Sequence, residues 1–528
     1  MPNKTAITID DIYRSLRVHD EEILKHFNDE NLTDQNYLFY AISGDIISNA
    51  LSIIIAIQTN NINSIGVDNN CRAIIEALVV LKMMSLGDIS DEQAKIFRYH
   101  YAVVDYANMK KFINDKTKEH DDFKYVEKDR QKAFDAMMSF HNCRKKELMD
   151  DPDFDDPNFY LKKKLGKKYK FTELLEKYQI FDVGESRMYD LFSLYLHPRY
   201  EFDSEIESSL SKIREKYVYR VLDYVVKYLV DCKLMVFDDS INNFDQDFFK
   251  NPVLKNNVLN ILDMLRLFDS IEKKTCYFDD GYDAFTIFFL NKMKEIIINM
   301  DVSISLGYKE NIISMFKSTM EYIAMYVYIS EAETIEEFKI LKLAYCYSSR
   351  LQFNCLLEKM HLPRLFADET ISELKMLFDK YYKEKYQIDD FDKFLKKVEY
   401  NARYFINKDK NNFNAIVNKV IDDIYDDPGE REFTRMIYKI SKDMNHGGGY
   451  SFNSSPGLID SQCRHVKYTI YKFMVDKLNR TVTTFAEHGK TVDLNIEIKF
   501  FEVLAEVEKT EIQKVDKEYA DRNKKAIE

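Results

Sequence analysis

The chain has 528 residues, beyond the length at which one hydrophobic core stops growing, so two or more domains or a duplicated unit are expected and a single small module is excluded. It holds only 13 Gly and 8 Pro, with 45% hydrophobic and 31% charged residues, which excludes turn-rich β-sandwiches, Gly-loop nucleotide folds and a disordered chain, and leaves a packed helical protein. A formal charge of −13 excludes a surface that is cationic throughout and grips duplex nucleic acid by counterion release, while leaving room for a local basic groove.

In chain order, Thr8 or Asp10 before Ile12 opens a short N-terminal helix, and MPNKTAITIDDIYRSL carries no secretory signal pattern. Thr33 precedes a long helical run to about Asn60; Ser90 and Thr334 open further helices, with Gln93 and Glu337 three residues on in the capping-box pattern. Apolar residues at Ile46, Ala50, Ile53, Ile54 and Ile57, and at Ile74, Leu78 and Leu81, recur at the helical period. Gly66, Gly87, Pro198, Gly307 and Gly447-Gly448-Gly449 interrupt this text, and Asp150 to Pro157 reads as a loop. Lys162-Lys163-Lys164 with Lys167-Lys168 reads as a solvated loop. The Asn- and Asp-rich stretch from about Asp238 to Asp280 reads as a connector containing one helix, Val253 to Lys273. From Lys490 the alternation of Val492, Leu494, Ile496 and Ile498 is a strand signal, followed by a charged helix.

The apolar runs Ile53 to Ile57 and Phe285 to Leu290 are too short to cross a bilayer. Cys71, Cys143, Cys232, Cys276, Cys346, Cys355 and Cys463 form no C-x-x-C pair, which fits a reducing cytosol without structural zinc. A cytoplasmic protein without membrane, metal or cofactor is therefore expected.

Three blocks recur in order. NNCRAIIEALVVLKMM matches ISMFKSTMEYIAMYVY, so that Arg72 and Glu76 correspond to Lys317 and Glu321; DEQAKIFRYHYAVVDY matches IEEFKILKLAYCYSSR; SRMYDLFSLYLHPRYEF, with Arg187, Ser193 and His197, matches TRMIYKISKDMNHGGGYSF, with Arg435, Ser441 and His446. Arg72 to His197 spans 125 positions and Lys317 to His446 spans 129. The expected fold is all-α, as two tandem related antiparallel helical-bundle domains at 30–236 and 280–485. An N-terminal helix (1–29), a connector (237–279) and a small C-terminal extension (486–528), which includes the strand signal, complete the chain.

Arg72 and Glu76 project from one face of a strongly apolar helix, either as a surface i,i+4 pair or as a buried, paired charge. His197 and His446 each end a helix, where the dipole favours a cationic imidazole; as structural caps they would do no more. Imidazole also moves protons near neutral pH, and arginine holds phosphate. No Walker A, H-E-x-x-H or G-x-S-x-G sequence occurs.

An R-x-x-x-E on an early apolar helix, followed after roughly a hundred residues by a helix ending in S-x-x-x-H, resembles the HEPN-like helical proteins of bacteria, in the uncharacterised branch with that arrangement. Arg72, Glu76, Ser193 and His197 fit it; the second copy departs at Lys317 and by one extra residue between Ser441 and His446. The wider group includes RNA-cleaving toxins and phage-defence effectors that pair two copies. Their R-x(4–6)-H signature is missing from both repeats, and Arg14 with His19 satisfies its spacing only outside the repeat.

The resemblance implies a ribonuclease effector or an RNA- or nucleotide-binding protein, with a ligand in a confined pocket and the two repeats forming an intramolecular pseudo-dimer, with further homo-oligomerisation open. His197, Arg72, Glu76 and Arg187 would be the catalytic set; Ser193, Lys317, Glu321, Arg435, Ser441 and His446 would assist binding. The competing expectation is a non-catalytic helical interaction protein with a protein partner, such as a phage-encoded inhibitor of host defence, in which the same residues form a buried polar network.

Overall fold

The computed structural model describes residues 32–58, 62–109, 121–196 apart from 155, 157, 183 and 184, 204–231, 252–275, 282–306, 308–400 apart from 333, 367 and 368, 413–444, 456–487 and 491–527, with isolated positions between 12 and 23. His197 and His446, like Pro198, Gly307 and the Gly447 to Gly449 run, lie outside the described residues.

The described chain is all-α apart from one two-residue hairpin. In order the helices are α1 (Asp34–Gln58), α2 (Ile65–Ser85), α3 (Asp91–Met109), α4 (Asp121–His141), α5 (Lys145–Met149), α6 (Phe171–Tyr178), α7 (Met188–Tyr195), α8 (Ser204–Asp231) and α9 (Pro252–Thr275). They continue as α10 (Tyr282–Leu306), α11 (Glu310–Ser330), α12 (Ile335–Lys359), α13 (Glu369–Leu377), α14 (Lys383–Tyr386) and α15 (Phe391–Tyr400). The last four are α16 (Phe413–Ile424), α17 (Pro428–Met444), α18 (Pro456–Glu487) and α19 (Asn495–Ile527).

Local chemistry sets several helix starts. Thr33 Oγ1 accepts from the Asn36 amide at 3.2 Å, opening α1. At α3 the box is complete: the Gln93 amide donates to Ser90 Oγ at 3.2 Å, and the Ser90 amide donates to Gln93 Oε1 at 3.0 Å. Thr334 Oγ1 accepts from the Glu337 amide at 3.0 Å. Gly87, at φ +73°, supplies the left-handed residue just beyond α2.

Two apolar cores form. The first is built from residues between 12 and 225, joined by Leu356 and Met360 of the α12 end. The second is built from residues between 264 and 505, joined by Ile65 and Leu196. Helix α9, expected within a connector, packs Met264, Phe268 and Ile271 into the second core. Helices α1 and α2 are 25 and 21 residues long, and α10 and α11 are also 25 and 21. These two pairs pack directly on each other: Asn69 Nδ2 donates to Ser314 Oγ at 2.9 Å, and Asn311 Nδ2 donates to Ser52 Oγ at 3.1 Å.

Four expectations need correction. Gly66 does not interrupt the text; it lies in the first turn of α2, where a Cβ would stand 2.6 Å from Asn299 Cγ, so its missing side chain permits close helix approach. The lysine cluster is solvated only in part: Lys163, Lys164 and Lys167 are exposed, but Lys162 and Lys163 pair with Lys168 and Lys167 in an antiparallel hairpin, and Lys162 is buried against Asp151. The alternation after Lys490 is no strand. Helix α19 begins at Asn495, because Ile498, Phe501, Ala505 and Ile512 recur at helical spacing and are buried, while Ile496 stays exposed. Finally, α1 as a whole is long and apolar enough to cross a membrane by length and composition, although its apolar runs are short; 67% of its most apolar window is buried inside the protein.

Candidate functional site

The R-x-x-x-E pair and the helix leading to S-x-x-x-H meet. Arg72 and Glu76 lie one turn apart on α2 and are 5% and 1% exposed. Arg72 Nε donates to Glu76 Oε1 at 3.2 Å, Arg72 Nη2 donates to the Tyr189 hydroxyl oxygen at 3.1 Å, and the Tyr189 O–H donates to Glu76 Oε1 at 2.7 Å. Tyr189 stands on α7, so one phenol ties the two motif helices together. Burial and the Glu76 carboxylate push its hydroxyl well above the ordinary tyrosine value, so it remains a donor. Burial acts to lower the Arg72 pKa, but Tyr189 and Glu76 outweigh it and Arg72 keeps its charge.

Ser193 follows Tyr189 by one turn of α7, and its Oγ is buried without a hydrogen-bond partner. His197 lies outside the described residues, and α7 ends before it at Tyr195. Arg187, just before α7, is 34% exposed and is held by Asp190 at 3.2 Å and Glu176 at 3.7 Å. Its ion pairs are therefore separate from the Arg72 cluster.

In the second half, α17 packs on α11 as α7 packs on α2, with the Phe316 and Tyr438 rings edge to face at 6.5 Å. Lys317 is half-buried and Glu321 is buried, both on α11. Arg435 is bound by Asp422 and Glu432, each at 2.5 Å. Ser441 Oγ donates to the Tyr438 carbonyl at 2.8 Å within its own helix.

Two groups, Tyr189 and Arg214, escape sequence reasoning. Asp68, one turn before Arg72, takes a two-pronged bond from Arg214 of α8, with Nε to Oδ1 at 2.6 Å and Nη2 to Oδ2. The Arg214 guanidinium also lies over the Tyr195 ring at 4.5 Å from its centroid. Burial pushes the Asp68 carboxyl up, against the pull of Arg214. The stripe Asp68, Arg72, Glu76, acid, base and acid on one face of an apolar helix, is legible in the sequence and signals buried pairing. Tyr189 and Arg214 carry no such signal, since they lie 117 and 146 positions from their partners.

Among the described residues no group of three or more His, Cys, Asp or Glu could hold a metal ion. Comparison with protein-family models, with curated proteins and with solved structures finds no match in any of the three.

Proposed function

We propose that this chain is a HEPN-like cytoplasmic protein that acts on or binds RNA or a nucleotide, in a phage-defence or toxin setting, as an intramolecular pseudo-dimer of two related helical units. The observation that supports it most is the Tyr189 bridge, which joins the R-x-x-x-E helix to the helix leading to Ser193 and His197. Because Arg72 and Glu76 are buried, their part is to fix the angle of α7, and they are positioning residues. Ser193 on that helix and His197, which follows it in sequence, would meet the ligand phosphate, with imidazole as the proton carrier.

The test is a binding and cleavage assay on purified protein with single-stranded RNA and free nucleotides, run beside His197→Ala. A loss of about tenfold or more in binding or cleavage is expected, corresponding to about 1.4 kcal/mol. RNA left intact, together with binding that is absent or indifferent to His197, sinks the proposal.

The burial of Arg72 and Glu76 favours a second reading, a non-catalytic helical interaction protein, including an inhibitor of host defence, in which the triad only sets helix register. Under it, Tyr189→Phe lowers stability and changes no ligand affinity.

A further inference from the structure

A cavity of about 340 Å³ lies between α11, α16 and α18 in the second half, remote in sequence from every motif residue of the first. Its walls are apolar where Tyr326, Val327, Val420, Ile424 and Phe473 line it. It reaches solvent beside the exposed Thr483 and beside Arg480, whose side chain is 63% exposed. In this wall sits Lys477, only 3% exposed, with Nζ 4.0 Å from the Tyr326 ring centroid.

Charged groups from each packed helix or its end face the cavity: Glu331 just after α11, Asp423 from α16, and Asp476 and Arg480 from α18. Glu331 is engaged by Lys419 at 2.8 Å and by Arg480 at 3.0 Å. Arg480 stands three residues after Lys477, so a guanidinium lies on the same helix face as the buried amine. A lysine both desolvated in an apolar pocket and set near another cation is the arrangement that activates an amine as a nucleophile.

We propose that this cavity binds a small, uncharged aldehyde or ketone and that the Lys477 amine condenses with its carbonyl carbon to form an imine. The nitrogen lone pair forms the C–N bond as the carbonyl oxygen takes up a proton, giving a carbinolamine. The two amine hydrogens and the carbonyl oxygen then leave as one water molecule, so no oxidant or reductant is consumed. The aromatic and aliphatic walls suit an uncharged, apolar body.

Two electrostatic effects support the chemistry. Burial and the Arg480 charge pull the Lys477 ammonium down to about 7, leaving a large neutral fraction near neutral pH. Burial pushes the Asp476 carboxyl up, with Asp423 adding to it and Lys472 and Arg480 opposing, so this cavity-lining group keeps a proton to higher pH than an ordinary carboxyl.

The experiment treats the full chain with benzaldehyde and sodium cyanoborohydride across pH 5.5 to 9 and maps the modified lysines by peptide mass spectrometry. Lys477 is expected to be modified faster at pH 7 than exposed lysines such as Lys380, by on the order of 10²-fold or more, because burial and Arg480 hold its amine neutral to lower pH. Its rate should rise with a midpoint near 7. Thr483→Trp, at the exposed mouth, should slow the labelling of Lys477 at least tenfold while surface lysines react as before. Modification spread over surface lysines with Lys477 unreacted overturns the proposal. So does labelling of Lys477 that Thr483→Trp leaves unchanged in a variant with unaltered thermal melt.

Discussion

Asn69 donates its side-chain amide to Ser314 Oγ at 2.9 Å, and the two residues are 245 positions apart. Lys317 follows Arg72, and Glu321 follows Glu76, by the same 245 positions. Under the proposed duplication Asn69 and Ser314 correspond, and a residue touching its counterpart would lie on a pseudo-two-fold axis, as in an isologous dimer interface. Beside it, α2 meets α10 where Gly66 abuts Asn299, and α11 meets α1 where Asn311, 245 positions after Gly66, bonds Ser52. This geometry supports the proposed pseudo-dimer. Co-expressed as separate chains divided within 237–251, the two halves are expected to co-purify one to one. Halves that never associate, although each is soluble, would count against a docked pair.

The close approach at Gly66 gives a second expectation. Gly66→Ala should destabilise the protein by about 1–2 kcal/mol, since the new methyl must displace Asn299, which is anchored by a bond to the Glu295 carbonyl at 2.7 Å. The double change Gly66→Ala with Asn299→Ala should recover most of the loss and gain from better helix propensity. Urea midpoints of the two single variants and the double variant decide it; a stabilising single Gly66→Ala contradicts the packing argument.

Tyr189→Phe removes one hydroxyl that serves two buried partners, and should cost about 1–2 kcal/mol in chemical denaturation. Glu76→Ala should cost more, about 3–5 kcal/mol, because it leaves the Arg72 charge buried. A Glu76→Ala melt indistinguishable from that of the parent chain would show that the site is open in solution.

The Asp68 and Arg214 pair should behave asymmetrically. Asp68→Ala alone should destabilise by about 3–5 kcal/mol, whereas Asp68→Leu combined with Arg214→Met should be near neutral. The double-mutant cycle in urea measures the coupling, and additivity of the two single changes would remove it.

Lys477 imposes a pH dependence of definite sign. Its folded value of about 7 lies below the unfolded value of about 10.4, so between them the unfolded chain binds more protons and stability rises with pH. Below both values the folded chain bears the cost of a buried ammonium. Lys477→Met should therefore raise Tm, most at pH 6 and least near pH 10, by an energy on the order of a few kcal/mol at low pH, partly offset by the lost contact with Tyr326. A lower Tm at pH 6 contradicts this.

Short-range features were legible. The caps at Thr33, Ser90 and Thr334 and the all-helical class follow from neighbours within a few positions, and the helix predicted at Val253 to Lys273 is found as Pro252–Thr275. The strand signal at Val492 to Ile498 failed because alternation over four residues carries less than burial of one face against α18. Gly66 misled as a breaker because its role is close packing against a helix more than two hundred positions away.

The sequence by itself determined that this protein is helical and where many helices start, because capping and amphipathic period act within a turn or two of chain. Only the tertiary structure decided that Arg72 and Glu76 are buried under Tyr189, that Asp68 answers Arg214, that Asn69 meets Ser314 and that Lys477 lines a cavity. Burial and partnership depend on which distant helices pack together, and desolvation then fixes the energy and protonation of each group.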